Sequence, residues 1–195
     1  MESQAEPATA EQAALAGLEL DRLMAAFNAL LDLREIESDV SSAPHLFDIG
    51  LAVDDAIDLY EAVAEDEKSV RIVRDIAAGQ FIGNREMVIR ALANLIENAL
   101  KVSPGGSTIT VSARPACRDG EPALELGVTD QGPGFPDGGE LPAEPRSTLS
   151  GHGLGLIIVR AIAERHRGDV RVENRDPGAA VTLILRTPRL LTARE

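Results

Sequence analysis

The sequence is poor in aromatic residues and in cysteine. It has no tryptophan, one tyrosine and four phenylalanines, so aromatic residues make up 3% of the chain, and Cys117 is its one cysteine. A lone cysteine excludes an intramolecular disulfide and a zinc site built from several thiolates. Few aromatic side chains leave little for nucleic-acid bases to stack on. The core must therefore be built from Leu, Ile, Val and Ala, and a reducing, cytoplasmic environment is expected.

Basic residues and long apolar runs are also scarce. The chain has 19 Lys and Arg residues against 32 Asp and Glu residues, which gives a net charge of −13 at pH 7. A surface of this sign repels nucleic acid and anionic membranes. No basic, apolar leader and no run of about 18 apolar residues is present, so neither a signal peptide nor a membrane segment is predicted. With 195 residues, 44% of them hydrophobic, the chain should form one domain with an appendage.

The appendage has the pattern of a long helix. Between Ala10 and Ser38 there is no proline and one glycine, and apolar residues recur at helical spacing. They are Leu20, Leu23, Phe27 and Leu30, with Met24 and Leu31 in a second row beside them. Such a wide stripe needs a partner surface, either the chain's own domain or a second chain, and the length of the helix favours a bundle between chains.

A break at Ser41-Ser42-Ala43-Pro44 marks the predicted domain boundary. The prediction is a helical arm over residues 1–43, a main domain over residues 44–190 and a tail over residues 191–195. Within the main domain, hydrophobic periodicity predicts helices over 48–65, 85–102 and 154–166, and strands over 69–73, 80–83, 108–112, 123–128, 169–174 and 180–185.

The predicted helix over 85–102 carries two asparagines, Asn94 and Asn98, four residues apart. Side chains at this spacing lie one above the other on a single helix face. Amide oxygens there could coordinate Mg²⁺, and amide N–H groups could bind phosphate oxygens. Lys101 follows three residues later, where its cation could approach the same phosphates. The alternative is a polar helix face that only contacts solvent.

Two glycine-containing motifs follow. Asp130 ends an apolar strand and enters Gln131-Gly132-Pro133-Gly134, where its carboxylate could accept a purine N–H and the glycines allow close approach of a planar ring. The alternative is an aspartate that ends a strand in a turn. The run Gly151–Leu156 opens a predicted helix, and its unpaired backbone N–H groups suit phosphate. It matches neither the dinucleotide-binding signature nor the phosphate loop with Lys-Ser/Thr.

The three motifs together resemble the asparagine box and the two glycine boxes of the histidine-kinase ATPase domain, whose superfamily also holds gyrase, the Hsp90 chaperones and MutL. They read Asn94-Leu-Ile-Glu-Asn98-Ala-Leu-Lys101, Asp130-Gln-Gly132-Pro-Gly134 and Gly151-His-Gly153-Leu-Gly155-Leu. The resemblance spans roughly Phe47 to Thr187. It implies an α/β two-layer sandwich, a mixed and mostly antiparallel sheet covered by helices on one face, preceded here by the long N-terminal helix. ATP would bind between the helices and the sheet.

The resemblance also implies residue roles. Asn98 would hold Mg²⁺, Asn94 and Lys101 would act on the phosphates as catalytic candidates, and Asp130 would bind the adenine amino group. The candidate nucleotide-binding residues are Asn94, Asn98, Lys101, Asp130, Gly132, Gly134, Gly151, His152, Gly153, Leu154, Gly155 and Leu156. For His152, a solvent-facing loop position is the alternative. Hydrolysing relatives usually carry a glutamate at the position of Asn94, so an amide there favours phosphoryl transfer over hydrolysis, since no base is placed for water.

Two departures from the family pattern keep several functions in view. The arm over residues 20–37 looks similar to the second helix of the kinase dimerisation hairpin, but no first helix with an acceptor histidine precedes it. Between Phe135 and Gly151 the segment is short and acidic, where the family usually has a longer lid.

We predict the ATP-binding catalytic domain of a two-component sensor histidine kinase. It would use ATP and Mg²⁺, act on a response regulator or a phosphoacceptor histidine domain in trans, and form a homodimer through the N-terminal helix. The alternatives are a catalytically inactive dimerising or docking module, and a protein-serine kinase of the anti-sigma-factor kind, against which the long helix argues.

Overall fold

A computed structural model of the chain describes residues 7–38, 44–135, 154–186 and 190–192. These residues form five helices and eight strands. The helices are α1 (Pro7–Ser38), α2 (Ile49–Asp58), α3 (Glu61–Lys68), α4 (Arg85–Val102) and α5 (Leu154–Arg165). The strands are β1 (His45–Asp48), β2 (Arg71–Ile76), β3 (Ala78–Gly83), β4 (Thr108–Arg118), β5 (Glu121–Thr129), β6 (Asp169–Asn174), β7 (Ala179–Arg186) and β8 (Leu190–Thr192).

The larger sheet has five strands in the order β2-β4-β5-β7-β6. Strand β2 runs parallel to β4, and the other three pairs are antiparallel. A smaller sheet of order β1-β3-β8 is antiparallel throughout. The predicted mixed, mostly antiparallel sheet is therefore confirmed.

Helices α2, α4 and α5 pack on the larger sheet and on one another. Helix α4 buries residues at spacings of three and four, among them Leu92, Leu95, Ile96 and Ala99. Strand β4 buries alternate residues, Ile109, Val111 and Ala113, as expected for a strand with one face in the core. The two periodic patterns meet in one hydrophobic core, which confirms the predicted two-layer sandwich.

The smaller sheet and the segment before α4 differ from the prediction. The single helix predicted over residues 48–65 is two helices, α2 and α3, and β1 precedes them. The Asp48 side chain accepts a hydrogen bond from the backbone N–H of Leu51 at 3.1 Å, which ends the strand and begins α2. Strand β8 continues to Thr192, two residues beyond the predicted end of the domain. Both β1 and β8 pair with β3, and such distant pairings leave no local periodicity to read.

Helix α1 packs against α5 through a small part of its surface. Ala29 and Ile36 are buried there, and Arg90 of α4 forms ion pairs with Asp32 at 3.4 Å and with Glu35 at 2.8 Å. The apolar stripe predicted from the sequence is exposed instead: Leu20, Leu23, Met24, Phe27, Leu30 and Leu31. None of the described helices, α1 included, is long and apolar enough to cross a membrane.

Candidate functional site

A cavity of about 290 Å³ lies between α4, the larger sheet and the start of α5. Among the described residues its lining is mostly apolar, and the ionisable or amide side chains there are those of Asp130 and Asn98. The lining residues are Leu95, Asn98, Ala99, Val102, Val128, Asp130, Gly134, Phe135, Leu156, Ala179 and Val181. Apolar walls with a few convergent polar groups are the usual construction of a small-molecule site.

Asp130 is fixed at the end of β5 with 7% of its surface exposed. Its backbone N–H donates to the carbonyl oxygen of Ala179 at 2.9 Å, which ties it to β7. Its Oδ1 accepts the backbone N–H of Gly132 at 2.8 Å. A buried carboxylate held in this way is an oriented acceptor, with Oδ2 as the oxygen for a ligand N–H.

The Asp130 backbone is approached closely by the turn between β6 and β7. A methyl carbon on Gly178 would lie 2.0 Å from the carbonyl oxygen of Asp130, and Gly178 has a φ of +99°. Glycine is therefore required at this position by both the contact and the backbone angle. The sequence analysis missed Gly178, because a Pro-Gly pair predicts a turn and says nothing about which distant backbone that turn meets.

Asn94 and Asn98 lie on one face of α4 and meet the first turn of α5. A methyl carbon on Gly155 would lie 3.0 Å from Asn94 Oδ1 and 3.0 Å from Asn98 Nδ2, so glycine allows this approach. Asn94 Nδ2 donates to the carbonyl oxygen of Arg90 at 2.8 Å. Asn98 Nδ2 is buried and has no hydrogen-bond partner within the part of the chain that the structure describes.

The unpaired Nδ2 of Asn98 is the most informative atom of the site. A buried donor without an acceptor costs about 1–3 kcal/mol, and the few such groups in native structures call for an explanation. Asn98 faces the cavity, where an oxygen of a bound ligand can supply the missing acceptor. The amide oxygen of the same side chain can coordinate a hard cation.

Magnesium fits this donor set only together with a ligand. Over the described ranges, no group of three or more His, Cys, Asp or Glu side chains could hold a metal ion. Mg²⁺ is commonly bound by one or two protein oxygens, with waters and substrate phosphates completing its shell. The amide oxygen of Asn98 suits such a partial site.

Lys101 does not line the cavity, and its side chain forms an ion pair. Its Nζ lies 2.8 Å from Glu97 Oε1 one turn earlier on α4, with 41% of the Lys101 side chain and 45% of the Glu97 side chain exposed. A pair this exposed contributes only about 0.3–0.5 kcal/mol, so a phosphate could draw the lysine away. Burial, together with the charge of Glu97, raises the pKa of the neighbouring Tyr60.

The glycine-rich loop is described only from its last residues. Leu154, Gly155 and Leu156 form the first turn of α5, and the two leucines pack on the core. Gly151, His152 and Gly153 lie outside the described residues. The structure thus brings Asn94, Asn98, Asp130, Gly132, Gly134, Gly155 and Leu156 to one region, while their roles stay predictions.

The sequence analysis also missed the residues that shape the cavity walls. Phe135 lines the cavity, and its backbone is held by Asn174 of β6. Val128 of β5 and Val181 of β7 contribute the sheet side of the wall. Apolar strand residues are predictable as core, but no local signal separates those that line a cavity from those that fill the interior.

Comparison with known proteins identifies the family. A model of the "Histidine kinase-, DNA gyrase B-, and HSP90-like ATPase" family matches residues 83–189. The sensor-like histidine kinase SenX3 of Mycobacterium tuberculosis is 32% identical over 189 residues, which is 90% of this chain and 44% of SenX3. The chain therefore spans less than half the length of this relative.

Solved structures agree. The mycobacterial sensor histidine kinase MprB is 29% identical with a TM-score of 0.60, covering 76% of this chain and 100% of that one. Full-length ShkA, solved in complex with AMPPNP, is 22% identical with a TM-score of 0.69, covering 100% of this chain and 41% of that one. At 22% identity, the similarity to ShkA shows a shared fold.

Proposed function

The chain belongs to the histidine kinase-, DNA gyrase B- and HSP90-like ATPase family, and we propose that it is the ATP-binding catalytic part of a two-component sensor histidine kinase. The observation that carries the proposal is the unpaired, buried Nδ2 of Asn98 in a mostly apolar cavity whose carboxylate is Asp130. The apolar walls suit an adenine ring, Asp130 suits its amino group, and Asn98 suits a phosphate oxygen and Mg²⁺. Use of ATP implies a cytoplasmic location.

The residues favour phosphoryl transfer to a protein over hydrolysis. When bound, Mg²⁺ would neutralise charge that develops on the phosphate oxygens. In the transfer, a histidine ring nitrogen forms a bond to the γ-phosphorus, the bond to the β,γ-bridging oxygen breaks, and ADP leaves. The Asn94 amide cannot remove a proton from water, and its Nδ2 already donates within α4. We therefore assign Asn94 and Lys101 to binding and orienting the phosphates.

The test supplies the acceptor in trans. The purified chain is incubated with Mg²⁺, γ-labelled ATP and a dimerisation hairpin that carries an acceptor histidine. Labelled phosphate on the hairpin that is lost in acid supports the proposal, because phosphohistidine is acid-labile. Acid-stable label would instead support the protein-serine kinase. Nucleotide binding without any transfer would favour the inactive docking module.

The exposed stripe of α1 supports a homodimer through this helix. Leu23 is 66% exposed and Leu30 is 65% exposed, although both are apolar and lie on a helix of 32 residues. Apolar rows at this spacing pack in helical bundles. We propose residues 1–43 as a dimerising arm, residues 44–190 as the ATPase domain and residues 191–195 as a tail. Sedimentation equilibrium should show a dimer that Leu23→Glu converts to a monomer, and a monomeric unaltered chain would contradict this.

A further inference from the structure

The segment from Asp130 to Phe135 forms one wall of the cavity and is attached to the corner between β6 and β7 at both of its ends. At the first end, the N–H of Asp130 donates to the carbonyl oxygen of Ala179 at 2.9 Å. At the other end, the Asn174 side chain makes two hydrogen bonds with the backbone of Phe135. Asn174 Oδ1 accepts the Phe135 N–H at 2.8 Å, and Asn174 Nδ2 donates to the Phe135 carbonyl oxygen at 2.8 Å.

This pairing satisfies both backbone groups of one residue with one amide side chain. The arrangement imitates the exchange of two hydrogen bonds between paired strand residues, across 39 positions of sequence. Gly134, which precedes Phe135, has a φ of +77°, and a methyl carbon there would lie 3.0 Å from Asn174 Oδ1. The amide of Asn174 therefore contacts two consecutive residues that line the cavity.

We propose that Asn174 is a positioning residue for the nucleotide base. It fixes the Gly134-Phe135 wall of the cavity that Val181 and Leu95 also line, so that the cavity keeps the shape in which an adenine ring would bind. This inference rests on the proposed function, and it assigns to β6 a role that none of the three motifs contains. Because Asn174 is exposed and both of these hydrogen bonds are to backbone groups, its removal weakens the wall without opening the hydrophobic core.

Three variants separate this role from general stability. Asn174→Ala removes both hydrogen bonds, Asn174→Asp keeps an acceptor for the Phe135 N–H and loses the donor, and Glu173→Gln changes the neighbouring exposed residue as a control. Calorimetric titrations of the full chain use a non-hydrolysable ATP analogue, ADP and AMP. Two exposed hydrogen bonds predict a loss of about fivefold to tenfold in Asn174→Ala, a smaller loss in Asn174→Asp and no change in Glu173→Gln.

The pattern across the three nucleotides is the specific readout. All three carry the same base, so the loss should be the same factor for each, whereas a defect at the phosphates would grow with their number. Amide hydrogen exchange should also be faster at Phe135 in Asn174→Ala. Equal affinity of Asn174→Ala and the unaltered chain, or a loss confined to the triphosphate, would overturn the role of Asn174 and leave the proposed function intact. No binding of any nucleotide by the unaltered chain would overturn both.

Discussion

The Asp130 end of the cavity and the polar face of α4 differ in how far they are assembled. At the end near Asp130, the carboxylate is buried, one of its oxygens is fixed by Gly132, and the wall to Phe135 is attached at both ends. Along α4, the polar groups predicted to meet the phosphates are engaged elsewhere: Asn94 with the Arg90 carbonyl oxygen, and Lys101 with Glu97. We infer that the Asp130 end, where the base would bind, is assembled before a ligand arrives and can therefore select the base. If α4 binds the phosphates as proposed, Asn94 and Lys101 would exchange these internal contacts for phosphate contacts.

The largest effect should come from the base end. In Gly178→Ala, the new methyl group would meet the carbonyl oxygen of Asp130 at 2.0 Å. Gly106→Ala is a matched control, because Gly106 has a similar φ of +78° but nothing within 4 Å of the added carbon. The control should lose about 1–2 kcal/mol of unfolding free energy from the backbone angle alone. Gly178→Ala should lose about 1–3 kcal/mol more from the clash, together with nucleotide binding. Equal losses in denaturant titrations would contradict the close approach.

Asn98→Ala should distinguish binding of the phosphates from binding of the base. The affinity for an ATP analogue with Mg²⁺ should fall about tenfold to a hundredfold, as expected for one lost hydrogen bond to a charged group, while AMP binding should change little. Because Nδ2 has no partner among the described residues, the unfolding free energy of the ligand-free protein should not decrease. Asn28→Ala, at an exposed asparagine of α1, is the control. A clear loss of ligand-free stability would mean that Asn98 has a structural role instead.

A smaller effect is expected at the ion pair between Glu97 and Lys101 on α4. Glu97→Gln releases Lys101 and removes a nearby negative charge, so the affinity for the ATP analogue should rise about twofold, the size of an exposed ion pair on a helix. Glu86→Gln makes the same change of charge in the first turn of α4, on an exposed side chain. If both variants rise equally, overall charge is responsible and Lys101 is not.

The smallest effect is a loss of folding stability in acid that we expect from His166, the residue directly after α5. Burial lowers the pKa of His166 below its usual value, against the raising effect of its hydrogen bond to the Ile162 carbonyl oxygen, and Arg165 lowers it further. The unfolded chain therefore binds a proton that the folded chain resists, so stability is retained above about pH 6.5 and falls as the pH drops below it. Unfolding titrations between pH 7.5 and 5.5 should show this fall, and His166→Gln should reduce it. An unchanged slope in the variant would show that other groups cause the dependence.

The sequence predicted the family and the fold, and both are confirmed. Helix α4 was predictable to the residue because its caps and its periodicity are local: Asn84 accepts the Met87 N–H at 3.0 Å, and Ser103-Pro104 follows its end. The motifs led to Asn98 and Asp130, which the structure places in one cavity.

Distant contacts could not be predicted. Asn174 and Phe135 are 39 positions apart, and Gly178 meets Asp130 only because β7 pairs with both β5 and β6, which brings the turn between β6 and β7 to the end of β5. The ion pair between Lys101 and Glu97 was also missed, although its spacing of four on a helix is a local signal. The sequence therefore indicates the candidate residues, and the pairing of the strands decides what holds them.

The most direct test of the proposed nucleotide site is a calorimetric titration of the full chain with a non-hydrolysable ATP analogue. It is carried out with and without Mg²⁺, for the unaltered protein and for Asp130→Asn. We expect Mg²⁺-dependent binding that Asp130→Asn weakens about tenfold or more, because an amide presents a donor or a weaker acceptor where the carboxylate would accept the N–H of the base. Full affinity in Asp130→Asn, or no binding by the unaltered chain at millimolar analogue, would contradict it.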